Sequence, residues 1–327
     1  MPGWAPRSSL VAAFPESRGW AVELRHFLKI TDLSQADFDA VLTQSAAWKR
    51  NPRGGVLQGK TVALIFGKPS TRTRVSFSVG VHQLGGMPLY LSEQELQMRK
   101  SESLEDTARV LSRYVDAIVI RTFAQKDVEE LAAAASVPVI NALTDSDHPC
   151  QALADIQTFR ERFSDPVGRK IVYLGDGNNV AASLAEAGAL AGIDVCLSSP
   201  EGCDLPVARM ESIRALASAH GARVWEERDP KAAVNGASAL YTDVWISMGQ
   251  VPDAAKVEAL RPYQLNASLL ALARPEAIVL HCLPAHRGEE ITDDVMDGPQ
   301  SAVFDQAENR LHAQKALMVF LLGGGAS

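Results

Sequence analysis

Short apolar runs alternate with amphipathic segments along most of the chain. The apolar runs predict eight strands, at 61–66, 117–121, 137–141, 170–175, 193–198, 222–226, 238–243 and 277–283. Most of the segments between them have the character of helices. This alternation is typical of an α/β fold, in which mainly parallel sheets are flanked by helices.

One segment carries an ambiguous pattern. Between 74 and 84 the apolar residues alternate as in a strand, with Val75, Phe77, Val79 and Val81 at every second position. We predict a helix there, because Ser70 or Thr71 can cap its start and Gly85-Gly86 can end it.

The length of 327 residues predicts about two domains of roughly 150 residues each. Residues 150–163 read as a long helix, and Pro166-Val167-Gly168 then interrupts the pattern before a new strand. We therefore place a boundary at 166. The predicted units are an extension at 1–24, a first domain at 25–150, a hinge helix at 151–165 and a second domain at 166–303. A last helix at 304–322 is expected to pack back across the molecule and join the first domain. A transit peptide is the alternative for the extension.

The amino-acid composition and net charge exclude some classes of function. Apolar residues make up 46% of the chain, charged residues 22%, and the net charge is −7, so binding to nucleic acid is not expected. No apolar run approaches the roughly 20 residues of a membrane span. The cysteines at 150, 196, 203 and 282 form no C-x-x-C pair, which favours reduced thiols in the cytoplasm.

The strongest chemical signal is Ser70-Thr71-Arg72-Thr73-Arg74, which follows the apolar run 61–66. Hydroxyl and guanidinium groups where a strand turns into a helix suit a phosphate, because the helix start adds free N–H groups and a positive dipole end. Arg72 and Arg74 lie two residues apart and cannot share a helix face. One of them is expected to face the ligand while the other braces the loop; a solvated basic helix start is the alternative.

Other polar residues follow predicted strands or open a helix. Arg121 and Asp243 stand at carboxyl ends of strands, where open α/β sheets bind ligands. His148 and Gln151 open the hinge helix and are spaced to reach one ligand, and Cys282 ends the last strand. Each also has an ordinary structural interpretation, as a strand end, a helix cap or a small buried side chain.

The sequence lacks the motifs of several common enzyme and cofactor-binding classes. The turn Gly175-Asp176-Gly177-Asn178-Asn179 begins like a dinucleotide loop, but Val180 stands where the third glycine is needed. Its two asparagines suit a small polar ligand, such as an amino-acid carboxylate. No P-loop and no G-x-S-x-G elbow is present, and no histidine spacing predicts a metal site.

Together these motifs resemble the aspartate/ornithine carbamoyltransferase family, over nearly the whole chain from about residue 25 to 322. The segments 70–74 and 148–151 (His-Pro-Cys-Gln) resemble its carbamoyl phosphate half. The segments 243–249 (Asp-Val-Trp-Ile-Ser-Met-Gly) and 281–284 (His-Cys-Leu-Pro) resemble the half specific for ornithine. The resemblance implies two α/β domains with the site in the cleft between them and no cofactor.

The resemblance also implies site residues. Those matched to carbamoyl phosphate binding are Ser70, Thr71, Arg72, Thr73, Gln97, Arg121, His148, Gln151, Cys282, Leu283 and Arg310. Those matched to ornithine binding are Asn179, Asp243, Ser247 and Met248. Catalytic roles fall to Arg121, His148 and Cys282. Gln97 lies in a segment that, in the family, reaches a neighbouring subunit's site, so a homotrimer or a multiple of trimers is expected.

The implied reaction is attack of the ornithine δ-amine on carbamoyl phosphate, giving citrulline and phosphate for arginine metabolism. A carbamoyltransferase for another amine, such as putrescine or acetylornithine, is the alternative. A non-catalytic relative and a dehydrogenase are more distant ones. The sequence leaves open whether the reaction serves synthesis or breakdown of arginine.

Overall fold

The computed structural model describes residues 24–68, 70–92, 102–246, 251 and 253–323. Within this part of the chain there are two parallel sheets. The first contains β1 (Thr61–Phe66), β2 (Met87–Ser92), β3 (Ala117–Arg121) and β4 (Val139–Leu143). The second contains β5 (Lys170–Leu174), β6 (Asp194–Ser198), β7 (Val224–Glu226), β8 (Ala239–Thr242) and β9 (Ile278–His281).

Helices flank both sheets. Those of the first half of the chain are α1 (Gln35–Arg50), α2 (Thr71–Gln83), α3 (Leu104–Leu111), α4 (Gln125–Ala134) and α5 (Pro149–Arg162). Those that follow are α6 (Asn179–Leu190), α7 (Val207–Ala219), α8 (Pro230–Val234), α9 (Ala254–Leu260), α10 (Ala267–Leu270), α11 (Asp293–Met296) and α12 (Val303–Leu321). Two 3₁₀ turns lie at Ile30–Asp32 and Arg261–Tyr263. The predicted α/β class with two parallel sheets is confirmed, and no described helix combines the length and apolarity needed to cross a bilayer.

The strand orders create two places where ligands can bind. The first sheet runs β2-β1-β3-β4 and the second β7-β6-β5-β8-β9, so the chain reverses direction across each sheet at β1/β3 and at β5/β8. At such switch points neighbouring loops leave the strands' carboxyl ends in opposite directions and open a crevice. The predicted polar residues at 70–74, 121, 176–179 and 243 all follow these four strands.

Helices α5 and α12 lie between the sheets. Every residue of α5 from Pro149 to Phe159 is buried, and α12 is buried over most of its length. A helix that is covered on all sides must pack against several elements. α5 packs against α1, α6, α12 and β4, and α12 packs against α1, α2, α5 and β9. The two helices therefore join both sheets; the predicted boundary at 166, between α5 and β5, stays a prediction.

All eight predicted strands are present, with ends shifted by at most two residues. The strand β2 was missed, because Met-Pro-Leu-Tyr-Leu-Ser has no fully buried residue and lies at a sheet edge, where a proline is tolerated. The helix predicted at 74–84 is confirmed as α2, although it begins earlier, at Thr71. Its alternating residues separate onto two faces: Phe77 and Val81 are buried, and Val75 and Val79 are exposed. Gly85, at φ +85°, ends it as predicted.

Candidate active site

The start of α2 provides backbone donors for an anion. Ser70 occupies the N-cap position in extended conformation, but its hydroxyl accepts no hydrogen bond from the described helix backbone. Ser70 is therefore the N-cap residue, as expected, but without a side-chain hydrogen bond to the described helix backbone. The N–H groups of the first helical turn have no partner within their own helix. They and the positive end of the helix dipole favour an anion at this position.

Two buried guanidinium groups meet at one hydroxyl of α2. Thr73 Oγ1 accepts from Arg310 Nη2 at 2.8 Å and from Arg121 Nη1 at 3.4 Å. Arg121 stands at the end of β3 and Arg310 two turns into α12, and both are buried. Neither has a carboxylate within ion-pair distance among the described residues. Burial lowers the pKa of Arg310 and the charge of Asp155 offsets this in part, but neither guanidinium group is paired with a carboxylate among the described residues. Two like charges close together favour the binding of an anion.

The pKa values reflect this crowding. Burial, and then the charges of Arg310 and Arg72, lower the pKa of Arg121 to about 10. Burial also lowers the pKa of Arg310, and Arg72 adds to the effect. Arg72 is exposed, yet its charge acts on both buried arginines, so all three belong to one positive region.

Arg74 has a different environment. Its guanidinium carbon lies 3.9 Å from the ring centroid of Tyr90 on β2, in a cation–π contact. Arg74 is therefore the arginine that is held against a neighbouring element, and the ligand-binding role expected of Arg72 stays a prediction.

The start of α5 adds two groups suited to a carbonyl or an amide. Pro149 occupies the first turn, and the N–H of His148 donates to Ser183 Oγ at 2.9 Å, which ties α5 to α6. His148 Nδ1 and Gln151 Oε1 are buried and have no hydrogen-bond partner in the described part of the chain. Burial, and then Arg310 and Arg121, lower the pKa of His148 well below 6.5, so its imidazole is neutral at physiological pH.

The carboxyl ends of the second sheet bring together a carboxylate, an amide and a thiol. Asp243, which directly follows β8, accepts from Asn178 Nδ2 at 2.9 Å and from Cys282 Sγ at 2.9 Å. Asn178 is itself fixed, because its Oδ1 accepts from the N–H groups of Val180 and Ala181 and so caps α6. The Asp243 carboxylate is buried and is held in place by hydrogen bonds to both of its oxygens. A group that positions a cation or an amine needs such a fixed orientation.

Cys282 is a thiol donor here and not a thiolate. Burial, and then the neighbouring Asp243, raise its pKa well above 9.0. A nucleophilic or basic cysteine needs the opposite environment. Cys282 is nevertheless close enough to Arg121 and Arg310 to affect their pKa values, so the thiol adjoins both the arginine cluster and Asp243.

The segment after β9 is held by His281. Its Nδ1 accepts from the N–H of Leu283 at 2.9 Å, which leaves Nε2 as the protonated nitrogen that donates to Glu290 at 3.0 Å. Leu283 has φ +59°, a left-handed conformation that non-glycine residues rarely adopt. Such strained positions concentrate at binding sites.

Two side-chain groups have the spacing of metal ligands. Ligand atoms of Asp243, His281 and Cys282 lie within 4.8 Å of one another, as do those of His286, Glu289 and Glu290. In the first group the donors already pair with each other or with Leu283 and Glu290. In the second group Glu290 already accepts from His281 and from the N–H of His286.

Most of the predicted site residues come together in this region. The structure groups Thr73, Arg72, Arg121, His148, Gln151, Asp243, Cys282 and Arg310, with Ser70, Thr71 and Leu283 on the adjoining segments. Asn179 instead donates its Nδ2 to the carbonyl of Thr144 at 2.5 Å, and its neighbour Asn178 contacts Asp243. The predicted residues Gln97, Ser247 and Met248 lie outside the described residues.

Sequence reasoning missed the polar groups that hold the site in place. Asp155 and Gln306 are fully buried and hydrogen bonded to each other, and Asn178 was noted only as one of a pair. The sequence did contain a sign of Asp155: its carboxylate stands one turn after Gln151, between the apolar residues Leu153 and Ile156. Because a buried carboxylate needs hydrogen-bond partners, this position could have been predicted to belong to a polar network.

Comparison with known proteins gives a consistent result. Residues 25–161 match the family model described as "Aspartate/ornithine carbamoyltransferase, carbamoyl-P binding domain". Residues 167–321 match "Aspartate/ornithine carbamoyltransferase, Asp/Orn binding domain". The two matches cover both sheets and both joining helices.

Similar individual proteins carry related names. The ornithine carbamoyltransferase of Symbiobacterium thermophilum is 50% identical over 303 residues, which are 91% of this chain and 98% of that protein. That of Rhodococcus opacus is 53% identical over 304 residues, covering 91% and 96%. Among solved structures, the ornithine carbamoyltransferase from Pyrococcus furiosus has a TM-score of 0.89 at 48% identity, covering 92% of this chain and 98% of that one.

Proposed function

The chain belongs to the aspartate/ornithine carbamoyltransferase family, and from this we propose that it transfers the carbamoyl group of carbamoyl phosphate to the δ-amine of L-ornithine, giving L-citrulline and phosphate. The observation that carries the proposal is the pair Arg121 and Arg310. Two buried cations share Thr73 and neither forms an ion pair with a carboxylate among the described residues, while the buried carboxylate of Asp243 lies at the end of the other sheet. One side suits a phosphate and the other an amine.

Carbamoyl phosphate is held from the first sheet. The first turn of α2 (Ser70, Thr71, Thr73) and Arg72 hold the phosphate, together with Arg121 and Arg310. His148 donates from its neutral imidazole to the carbamoyl oxygen, and Gln151 accepts from the carbamoyl nitrogen. Charge that develops on the carbonyl oxygen is then stabilised by Arg121 and His148.

Ornithine is held from the second sheet. Asp243 places the side-chain amine, and Asn179, Ser247 and Met248 bind the rest of the amino acid, with Leu283 beside both substrates. The amine has an ordinary pKa of about 10.4 and must lose a proton before it attacks. The protonated Cys282 thiol, hydrogen bonded to Asp243, orients that carboxylate; it does not remove the proton.

The reaction is a substitution at the carbamoyl carbon. A bond forms from the δ-nitrogen to this carbon, the bond to the phosphate oxygen breaks, and the proton of the amine leaves with phosphate or solvent. The site contributes mainly orientation and charge stabilisation.

We further propose a homotrimer, or a multiple of trimers, in the cytoplasm, in which Gln97 reaches a neighbouring site. The exposed apolar side chains of α2 and β2 support an interface on the first sheet: Val75 is 52% and Met87 58% exposed. The four free cysteines support a reducing compartment.

A matched pair of variants tests the function. Arg72→Ala is expected to lower kcat/KM for carbamoyl phosphate by roughly 10- to 100-fold, because a charge-assisted phosphate contact is lost. Arg74→Ala removes the same side chain two residues away, from its contact with Tyr90, and should keep most activity. Citrulline is measured with ornithine, putrescine and acetylornithine as acceptors. Preference for another acceptor, or equal activity of the Arg72→Ala variant and the parent, would refute the proposal.

A further inference from the structure

Asp155 lies at the centre of a buried hydrogen-bond junction behind the candidate active site. It stands on α5, one turn after Gln151, and is fully buried. Its Oδ1 accepts from Gln151 Nε2 at 2.8 Å, from Gln306 Nε2 at 2.6 Å and from the Tyr241 hydroxyl at 3.4 Å. Three elements (α5, α12 and β8) therefore converge on one carboxylate oxygen.

The carboxylate determines which way the amide of Gln151 points. An ionised carboxylate can only accept hydrogen bonds, so the amide must present its nitrogen to Asp155. Its oxygen is then directed away from Asp155. That Oε1 is buried and has no partner among the residues the structure describes. Gln151 is thus held with its oxygen as an acceptor on the side of the amide that faces away from Asp155.

The junction is anchored independently of Gln151. The Oε1 of Gln306 accepts from the backbone N–H of His281 at 2.8 Å, so the orientation of this second amide is set by the backbone of β9. Gln306 in turn holds Asp155 in place. The carboxylate does not depend on Gln151 for its position, and it can therefore impose an orientation on that amide.

We propose that Asp155 is a positioning residue that orients the amide of Gln151, and that this orientation lets the site distinguish carbamoyl phosphate from acyl phosphates that lack an N–H donor. The inference rests on the proposed function. The carbamoyl nitrogen donates to Gln151 Oε1, whereas the methyl group of acetyl phosphate leaves the same oxygen buried and unpaired. Asp155 touches neither substrate and acts only through Gln151.

Leucine at position 155 removes the acceptor that fixes the amide of Gln151. Asparagine would not remove it, because Gln306 still needs an acceptor at the Oδ1 position and the asparagine oxygen placed there also accepts from Gln151. Without an acceptor at position 155, the Gln151 amide can turn and present its own nitrogen to the carbamoyl nitrogen. Two donors then face each other, and the KM for carbamoyl phosphate is expected to rise about tenfold. The KM for ornithine should change by less than about twofold, since Asp243 and its partners are untouched.

The test is steady-state citrulline formation by the full-length protein, with acetyl phosphate as a competitive inhibitor. Burial raises the pKa of Asp155 to about 7, so the assay is run near pH 8.5 to keep the carboxylate ionised. In the Asp155→Leu variant, the ratio of acetyl phosphate Ki to carbamoyl phosphate KM should fall about tenfold. An unchanged ratio with normal turnover overturns the inference and leaves the proposed function intact. A parent protein without citrulline formation overturns both.

Three controls separate positioning from general stability. Thr158→Val removes a buried hydroxyl from the same helix, where it accepts from Asn309 Nδ2 at 2.9 Å, and should lower stability without altering the ratio. In a Gln151→Leu background, Asp155→Leu should have less than about a twofold further effect on the KM for carbamoyl phosphate. A full tenfold effect there would show that Asp155 acts by another route. Asp155→Asn, whose oxygen can still accept from Gln306 and Gln151, should keep the ratio near that of the parent. Asp155→Ala serves if the leucine variant does not fold; if neither folds, Asp155 is structural and the positioning role is wrong.

Discussion

Replacing Arg310 with methionine is expected to make the ligand-free protein more stable and a poorer enzyme. Arg310 is buried beside Arg121, and both guanidinium groups donate to Thr73. Methionine fills much of the same volume without a charge. The change removes one of two like charges that lack a carboxylate partner among the described residues.

The magnitude follows from the pKa of Arg121, which is lowered from 12.5 to about 10. This difference corresponds to about 3 kcal/mol against the charged form. Burial is the largest cause and Arg310 the second, so removing Arg310 should return about 1 kcal/mol to the ligand-free state. The lost hydrogen bond to Thr73 offsets only part of this gain, because Arg121 still donates there.

Ligand binding should change in the opposite direction. A charge-assisted contact to phosphate contributes about 1.5–3 kcal/mol, so the KM for carbamoyl phosphate is expected to rise roughly 10- to 150-fold. Urea unfolding is measured in phosphate-free buffer and again with inorganic phosphate, which stabilises only the form that binds it. The variant should be at least as stable as the parent without phosphate and less stable than the parent with it.

Arg214→Met is the control, because Arg214 forms an exposed ion pair with Glu226 and should change stability by less than about 0.5 kcal/mol. The reasoning would be refuted by an Arg310→Met variant that loses more than about 2 kcal/mol without phosphate and still gains the parent's full stabilisation from phosphate.

Three further predictions concern other parts of the account. Asp243→Asn should raise the KM for ornithine about tenfold, and an unchanged ornithine saturation curve would remove Asp243 from the site. The folded-state pKa of His148 lies well below 6.5, so on acidification the unfolded chain takes up a proton at His148 before the folded protein does. The free energy of unfolding of the parent should therefore fall relative to that of His148→Gln when urea unfolding is measured from about pH 7 down to pH 5. Parallel pH dependences of the two proteins would contradict this. Light scattering should give about three times the chain mass of 35.2 kDa, and Met87→Lys should lower that mass; a fully active monomer would exclude the proposed trimer.

Local patterns in the sequence predicted the α/β class and all described strands except β2. Parallel strands buried on both faces read as continuous apolar runs, which is why β1, β3 and β5 were found nearly at their true ends. The edge strand β2 lacks such a run and was missed. Helix α2 shows the limit of periodicity, since Val75 and Val79 are apolar and exposed, and only its flanking residues favoured a helix.

The site was predictable where a residue's position on an element fixes its surroundings. Arg121 and Asp243 follow strands at the switch points, and that alone places them at the crevice. Asn178 contacts Asp243 while Asn179 donates to Thr144, and this division depends on the local geometry of the helix cap, which the sequence does not specify. The junction at Asp155 depends on contacts 151 residues apart, to Gln306, which no local pattern contains.

The most direct test of the central claim is a crystal structure with phosphate and ornithine bound together. The account predicts phosphate at the start of α2, in contact with Arg72, Arg121 and Arg310, and the ornithine δ-nitrogen within hydrogen-bond distance of Asp243. Phosphate bound away from these arginines, or an ornithine whose δ-nitrogen points away from both Asp243 and the phosphate, would contradict it.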